Sequence, residues 1–165
     1  MNARTKTILA AAIAAAFITP AASAADWLPG KGQTAEAPRI IYAETETGAA
    51  LLSCSRNGKL KTILSNNGDD FGNRVNKIAR YRRGVDVALT VGDTVGDETR
   101  WRYMPAIDSI YSSQHSQAAK LYNATVRGDE ITVFLDGDSY TTMVLPAVDS
   151  TFKAFARTCN AKKPS

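Results

Sequence analysis

Histidine occurs once in this 165-residue chain and cysteine twice, and those scarcities exclude much chemistry. Two cysteines and His115 are one ligand short of a Cys/His zinc site, and none stands at ligand spacing from another. No metal is therefore expected. A serine hydrolase would have to use His115, in Ser112-Ser113-Gln114-His115-Ser116, yet the chain has no Gly-x-Ser-x-Gly elbow to present a nucleophile. Neighbours in sequence do not normally supply a triad assembled from separate elements. His115 thus reads as an exposed loop or helix-start residue. No glycine-rich phosphate cradle is present either, so no cofactor is expected. After the first two dozen residues no apolar run approaches the ~20 positions that span a bilayer.

What is there begins with an address. Arg4 and Lys6 precede an alanine-rich apolar run from Ile8 to Ile18, and Ala22-Ser23-Ala24 fits a small-residue cleavage site. Residues 1–24 are expected to be a cleaved signal peptide of bacterial style. No cysteine follows directly to carry a lipid, so a soluble periplasmic or secreted protein is expected. The chain has 20 basic and 16 acidic residues, and two of the basic ones leave with the leader. The small remaining surplus says little about partners. In an exported chain two cysteines read as one disulfide, Cys54–Cys159. Closing so long a loop contributes roughly 4–5 kcal/mol by chain-entropy reasoning, within a measured range of about 0–5.

Residues 25–38, with Pro29, Gly30, Gly32 and Pro38, read as an extended and poorly ordered leader whose Trp27 either docks on the core or stays exposed. Residues 39–165 are expected to form one globular domain. Arg39 to Ala43 is β-prone. Ala49 to Cys54 and Leu60 to Leu64 flank Arg56-Asn57-Gly58-Lys59, and Asn-Gly predicts a type I′ turn with positive φ at both residues. That turn would place Leu51 on a face with Leu64 and Leu52 with Ile63, in a pair more interior than edge. Asn66 to Gly72 is a polar turn without the spacing or closing glutamate of a calcium loop. Asn73 to Arg83 is read as a helix with Phe71, Val75 and Ile78 on one side.

Val85, Val87, Leu89 and Val91 alternate along a half-buried strand. After a turn at Gly92 to Asp97, Glu98 to Met104 alternates again with Trp101 and Tyr103 inward, and Pro105 ends it. Ile107 to Ser113 fits neither period cleanly. From Ser113 or Ser116 a helix carries Ala118, Leu121, Tyr122 and Thr125 on one stripe and stops at Gly128. Ile131 to Leu135 and Tyr140 to Leu145 flank Asp136-Gly137, a second hairpin signal. Asp149 or Ser150 then caps a last helix with Phe152, Phe155, Ala156 and Cys159 inward. Six or seven strands and two or three short helices without a βαβ rhythm predict a mainly β protein: an antiparallel sandwich or partly open barrel, stapled by one disulfide.

The least ordinary stretch runs from Arg74 to Arg83. Arg74, Lys77, Arg80, Arg82 and Arg83 fall here beside Tyr81 with no acid among them. In an exported protein such a face suits anionic lipid headgroups, lipopolysaccharide or an acidic partner. The plainer reading is a solvated face balanced by Asp69, Asp70 and the acidic turns. Nucleic acid is disfavoured by compartment, and one tyrosine is no stacking platform. The acid pairs Asp69/Asp70, Asp97/Glu98 and Asp136/Asp138 sit in turns, where Asp serves the backbone. Arg127-Gly128-Asp129 spells an adhesion tripeptide, but Gly128 is already the helix stop.

The order of elements resembles a known group. Cys54 before the Gly58-Lys59 hairpin is followed by a Trp101 strand, a helix closing at Arg127-Gly128-Asp129, a strand-turn-strand and a helix ending in Cys159. This layout, from Leu51 to Cys159, resembles the small exported proteobacterial proteins typified by invasion-associated locus B protein and the type VI secretion-associated TagO/VasI proteins. The resemblance implies a non-enzymatic, disulfide-bonded periplasmic β-sandwich and carries no functional residue across. The leading expectation is an exported non-catalytic envelope or secretion-associated binding protein. An inhibitor of a cell-wall hydrolase, of the kind seen among periplasmic lysozyme inhibitors, is the alternative and would need a protruding loop. A hydrolase using His115 is third.

Overall fold

Nine strands form one antiparallel sheet in the computed structural model, which describes residues 25–67 and 84–160. In chain order they are β1 (Leu28–Pro29), β2 (Ile40–Glu44), β3 (Gly48–Cys54), β4 (Leu60–Asn66), β5 (Gly84–Val91), β6 (Thr99–Met104), β7 (Ser109–Ser112), β8 (Glu130–Leu135) and β9 (Asp138–Val144). In space they run β1-β2-β3-β4-β7-β6-β5-β8-β9. The first four make a meander, β5 to β7 make a second, and β4 joins them by pairing with β7. Two helices complete the described fold, α1 (His115–Arg127) and α2 (Ser150–Asn160). The expected mainly β, antiparallel architecture with a disulfide is present, as an open sheet.

Alternation decides the core. Ala50, Leu52, Cys54, Leu60, Leu64, Val85, Val87 and Leu89 are buried on one face, with Trp101, Tyr103, Ile110, Ile131 and Val133. Successive strand residues point to opposite faces, so one apolar set is enough to hold each strand's register. Helix α1 covers that face with Ala118, Leu121, Ala124 and Thr125, as its stripe predicts; Tyr122 is partly buried beside them. It stops at Gly128 (φ 72°), where Gly128 N–H donates to Thr125 O and Asp129 N–H to Ala124 O. These bonds engage two of the last carbonyls of the helix. Its start differs from expectation: the residue before it is Gln114, whose N–H is held by Ser112 Oγ.

The two hairpin signals resolve differently. Asp136 (φ 48°) and Gly137 (φ 84°) both sit in the left-handed region and join Leu135 to Asp138 by a two-residue turn. At the first hairpin only Gly58 has positive φ (76°); Asn57 does not. Gly58 N–H donates to Ser55 O and Ser55 N–H to Lys59 O, so the loop has three residues rather than two. The strands are therefore slipped by one from the type I′ expectation: Leu51 lies opposite Ile63, and Ala50 opposite Leu64. Buried Leu52 now shares its face with Leu64 and Leu60. Both β3 and β4 are flanked on each side, as interior strands.

The leader is built into the fold. Trp27 is buried against Phe152 with ring centroids 5.3 Å apart, and its indole N–H donates to Pro146 O at 3.1 Å. Its backbone N–H reaches Asp149 Oδ2 at 2.9 Å, while Asp149 Oδ1 accepts from Phe152 N–H at 2.7 Å and caps α2. Leu28–Pro29 then adds a two-residue edge strand to β2. A polar, proline-bearing stretch looks unanchored in sequence; one large aromatic ring is enough to anchor it. The Cys54–Cys159 disulfide (Cα–Cα 5.8 Å) staples α2 to the end of β3 across 105 positions. Ile107 to Ser113, which neither period explains, divides into a 3-10 turn at Pro105–Ile107 and β7. The signal peptide and the expected helix over 73–83 lie outside the described residues.

Candidate functional site

Two of the grooves in the described surface are made from different materials. The first lies at the seam where the curled sheet brings its two ends together. Thr47, in the β2–β3 turn, donates its hydroxyl to Thr142 O of β9 at 2.8 Å, and Thr141 Oγ1 donates back to Thr47 O at 3.3 Å. Gly48 lies so close that a Cβ there would stand 2.3 Å from Ser65 O and 3.3 Å from Met143 Cε, so the approach needs glycine. The Trp27 indole bond to Pro146 O closes the other end. Between these two ties the strands part, leaving a groove of about 590 Å³.

Its walls are strand edges. The carbonyl of Thr142 points off the sheet toward Thr47, and alternate residues of a strand share that direction, so Val144 presents its N–H and C=O to the groove. Glu130, opposite Val144 on β8, spends its carbonyl on Gly92 N–H at 2.9 Å instead. On the facing wall Ile40 O accepts from Gly30 N–H, which sets Ile40, Tyr42 and Glu44 toward the β1 side. Strand β1 pairs only with Ile41 and Tyr42, and Glu44 lies beyond it. Both residues have ladder partners, Ala49 for Glu44 and Glu130 for Val144, but alternation turns their main-chain N–H and C=O groups away from those partners. Three carboxylates, Glu44, Glu46 and Glu130, line this groove without a basic residue among its walls. Met143 and Leu145 are buried beneath it, and the Val144 side chain is 57% exposed at its rim.

The second groove, about 550 Å³, lies on the outer face and is lined by Arg100, Arg102 and Tyr111 with Gly84, Ser113 and Gln114. Arg102 stands between Gly84 on one strand and Tyr111 on the other. Arg100 pairs across the ladder with Asp86 at 2.7 Å, an exposed contact contributing about 0–1 kcal/mol. Its guanidinium lies where a side chain on Gly84 would be: a Cβ there would stand 2.5 Å from Arg100 Nε. Arg102 makes no ion pair among the described residues. The basic stretch Arg74, Lys77, Arg80, Arg82 and Arg83 lies outside the described residues, but Arg83 directly precedes Gly84.

The remaining sequence candidates occupy structural positions. His115 opens α1 and is exposed, and its Nδ1 accepts from Leu60 N–H at 3.0 Å. Strand β7 reaches only as far as Thr62 along β4, so the ring adds one more bond to a ladder that has run out of strand. An accepting Nδ1 places the neutral ring's proton on Nε2. Arg127 and Asp129 pair with each other at 2.5 Å, so the charges of the tripeptide engage one another. The β5–β6 loop carries Val95, 79% exposed, but reciprocal bonds between Val91 and Thr94 fold it back on β5. Burial and the neighbouring Asp108 carboxylate push the Tyr103 hydroxyl up to about 12, and it donates to Asp108 Oδ1 at 2.7 Å. No cluster of metal-ligating side chains occurs among the described residues.

Sequence reading missed the seam groove. Thr47 and Thr142 are 95 positions apart, and the exposure of the Glu44 edge depends on how short β1 is. The Glu44-Thr45-Glu46-Thr47 alternation was the available signal, and it reads in sequence as an ordinary turn. Compared with known proteins, the chain matches no family model, no curated protein and no solved structure.

Proposed function

We propose that this protein is an exported, non-catalytic binding protein of the bacterial envelope or of secretion machinery, which meets a partner bearing anionic groups through its basic face. One observation carries the reading. The acid-free groove holding Arg100 and Arg102 adjoins Gly84, the residue to which the stretch of five basic side chains connects. A guanidinium beside a tyrosine and two small polar side chains offers bidentate donors to phosphate or carboxylate oxygens. The layout likeness to locus B and TagO/VasI proteins is in keeping with an envelope role. The structural use of His115 favours binding over hydrolysis.

The test uses vesicles containing an anionic phospholipid against wholly zwitterionic ones. Retention on the anionic vesicles should fall as salt rises, because exposed charges are screened beyond about 8–10 Å at physiological ionic strength. Arg102→Gln should weaken it about fivefold, the factor that ~1 kcal/mol per basic residue gives. Changing Arg74, Lys77, Arg80 and Arg83 together to glutamine should weaken it further. Equal retention of all three proteins at low salt would overturn the proposal. A lysozyme protection assay separates it from the inhibitor reading.

A further inference from the structure

We infer that the seam groove between β2 and β9 is a docking site for a short extended peptide segment of a partner protein, one that alternates basic and apolar residues. By strand alternation the main-chain groups of Glu44 and Val144 turn away from their ladder neighbours Ala49 and Glu130 and face the groove from opposite walls. An extended peptide satisfies such groups by adding itself to a sheet edge, with bonds that do not depend on its sequence. Side chains supply the selectivity, because they alternate between two directions along the peptide. One set meets Met143 and Leu145 below and Val144 at the rim, which favours apolar groups. The other meets Glu44, Glu46 and Glu130, three carboxylates facing no basic side chain in the lining, which favours lysine or arginine. These carboxylates outnumber the single α-amino group that cleavage before Ala25, itself in the lining, would leave.

The ties at the ends set the length. From Thr142, bonded to Thr47, to Pro146, bonded to Trp27, the open edge is about four residues long, roughly 13–14 Å of extended chain. A partner therefore offers a short segment, such as a tail or loop arm, rather than a full strand. This site is acidic and the Arg102 groove basic, so the two take opposite partners and stand or fall separately.

The experiment titrates the purified protein with a fluorescent peptide of alternating lysine and valine, six residues long and blocked at both ends. Its glutamate–valine counterpart and a version N-methylated on alternate amides serve as controls. Binding of the lysine peptide alone is expected, with the Val144 amide resonance among those that shift. Combined Glu44→Gln, Glu46→Gln and Glu130→Gln substitution should weaken it at least tenfold. Because all three side chains are solvent-facing, folding of that variant is checked by an unchanged denaturation midpoint. N-methylation on the edge-facing amides should weaken binding comparably. Absence of binding, equal binding of the lysine and glutamate peptides, or indifference to the triple substitution would each overturn the inference. Loss of binding in Arg102→Gln would do so too, since it would place the peptide in the other groove.

Discussion

The groove at Arg102 is made of side chains standing on ladder-paired residues of β5, β6 and β7, whereas the groove at Val144 is made of backbone at strand edges. In the first, Gly84, Arg102 and Tyr111 are held side by side by a continuous ladder across β5, β6 and β7. In the second, the two walls are tied by threonine hydroxyls of the β2–β3 turn and β9 and by an indole N–H, not by a ladder. A charged groove on a ladder owes its chemistry to residue identity, and it survives small movements of the fold. An edge groove owes its chemistry to where pairing stops, and it depends on the contacts that keep the edges apart yet close.

The sharpest way to break the comparison is to remove the seam's anchor. Trp27→Ala empties a buried site and should cost about 3–5 kcal/mol in denaturant unfolding, with amide exchange rising first at Glu44 and Val144. The amides of Arg100 to Arg102 should keep their relative protection; if they loosen equally, the grooves are not separately held. Replacing Cys54 or Cys159 by serine should cost roughly 2–5 kcal/mol. Native mass analysis of the oxidised protein should find no alkylatable thiol.

High pH probes the ladder rather than the seam. The Tyr103 hydroxyl is raised to about 12 by burial and by Asp108, against about 10 in an unfolded chain. Its contribution is fully present below about pH 10 and is lost as pH rises toward 12, because the unfolded chain releases that proton first. Tyr103→Phe should lose this portion of the decline, measured as the difference between the two stability profiles over that window. Smaller again is Thr47→Val, which removes the hydroxyl bond to Thr142 O and should cost about 0.5–1 kcal/mol. It should change peptide binding at the seam and leave vesicle retention unaltered. Asp86→Asn should change stability by less than about 1 kcal/mol while strengthening vesicle retention, since it frees Arg100 from its carboxylate partner.

Much of the fold was legible because local signals agreed with burial. The alternation in Val85 to Val91, the Trp101/Tyr103 pair, the stripe of α1 and the capped α2 appear where their periods place them, save that in α2 Ala154 is buried while Ala156, expected inward, is half-buried. The disulfide was legible from the count of cysteines and the inward position of Cys159. The two hairpins mark the limit. Asp136-Gly137 takes the expected turn, while Asn57-Gly58 does not. There Ser55 binds Asn57 and the Lys59 backbone, and a Cβ on Gly58 would stand 3.0 Å from Cys159 O. The packed surroundings of the disulfide, and not the dipeptide, accompany that register.

By itself the sequence determined most of the strands and the two described helices, which of their faces turn inward and which two cysteines meet; the short edge strand β1 and the 3-10 turn with β7 it did not. Those properties follow from short-range periodicity and from the strong free-energy gain of burying apolar side chains. Only the tertiary structure decided the one-residue register of the first hairpin, the docking of Trp27 and the seam that turns one edge of Glu44 and of Val144 toward a groove. Each of these turns on backbone hydrogen bonds, which every residue offers alike, and on contacts between positions about a hundred apart. Such choices leave no mark on local composition, because they are made by whichever edge the folded sheet brings near.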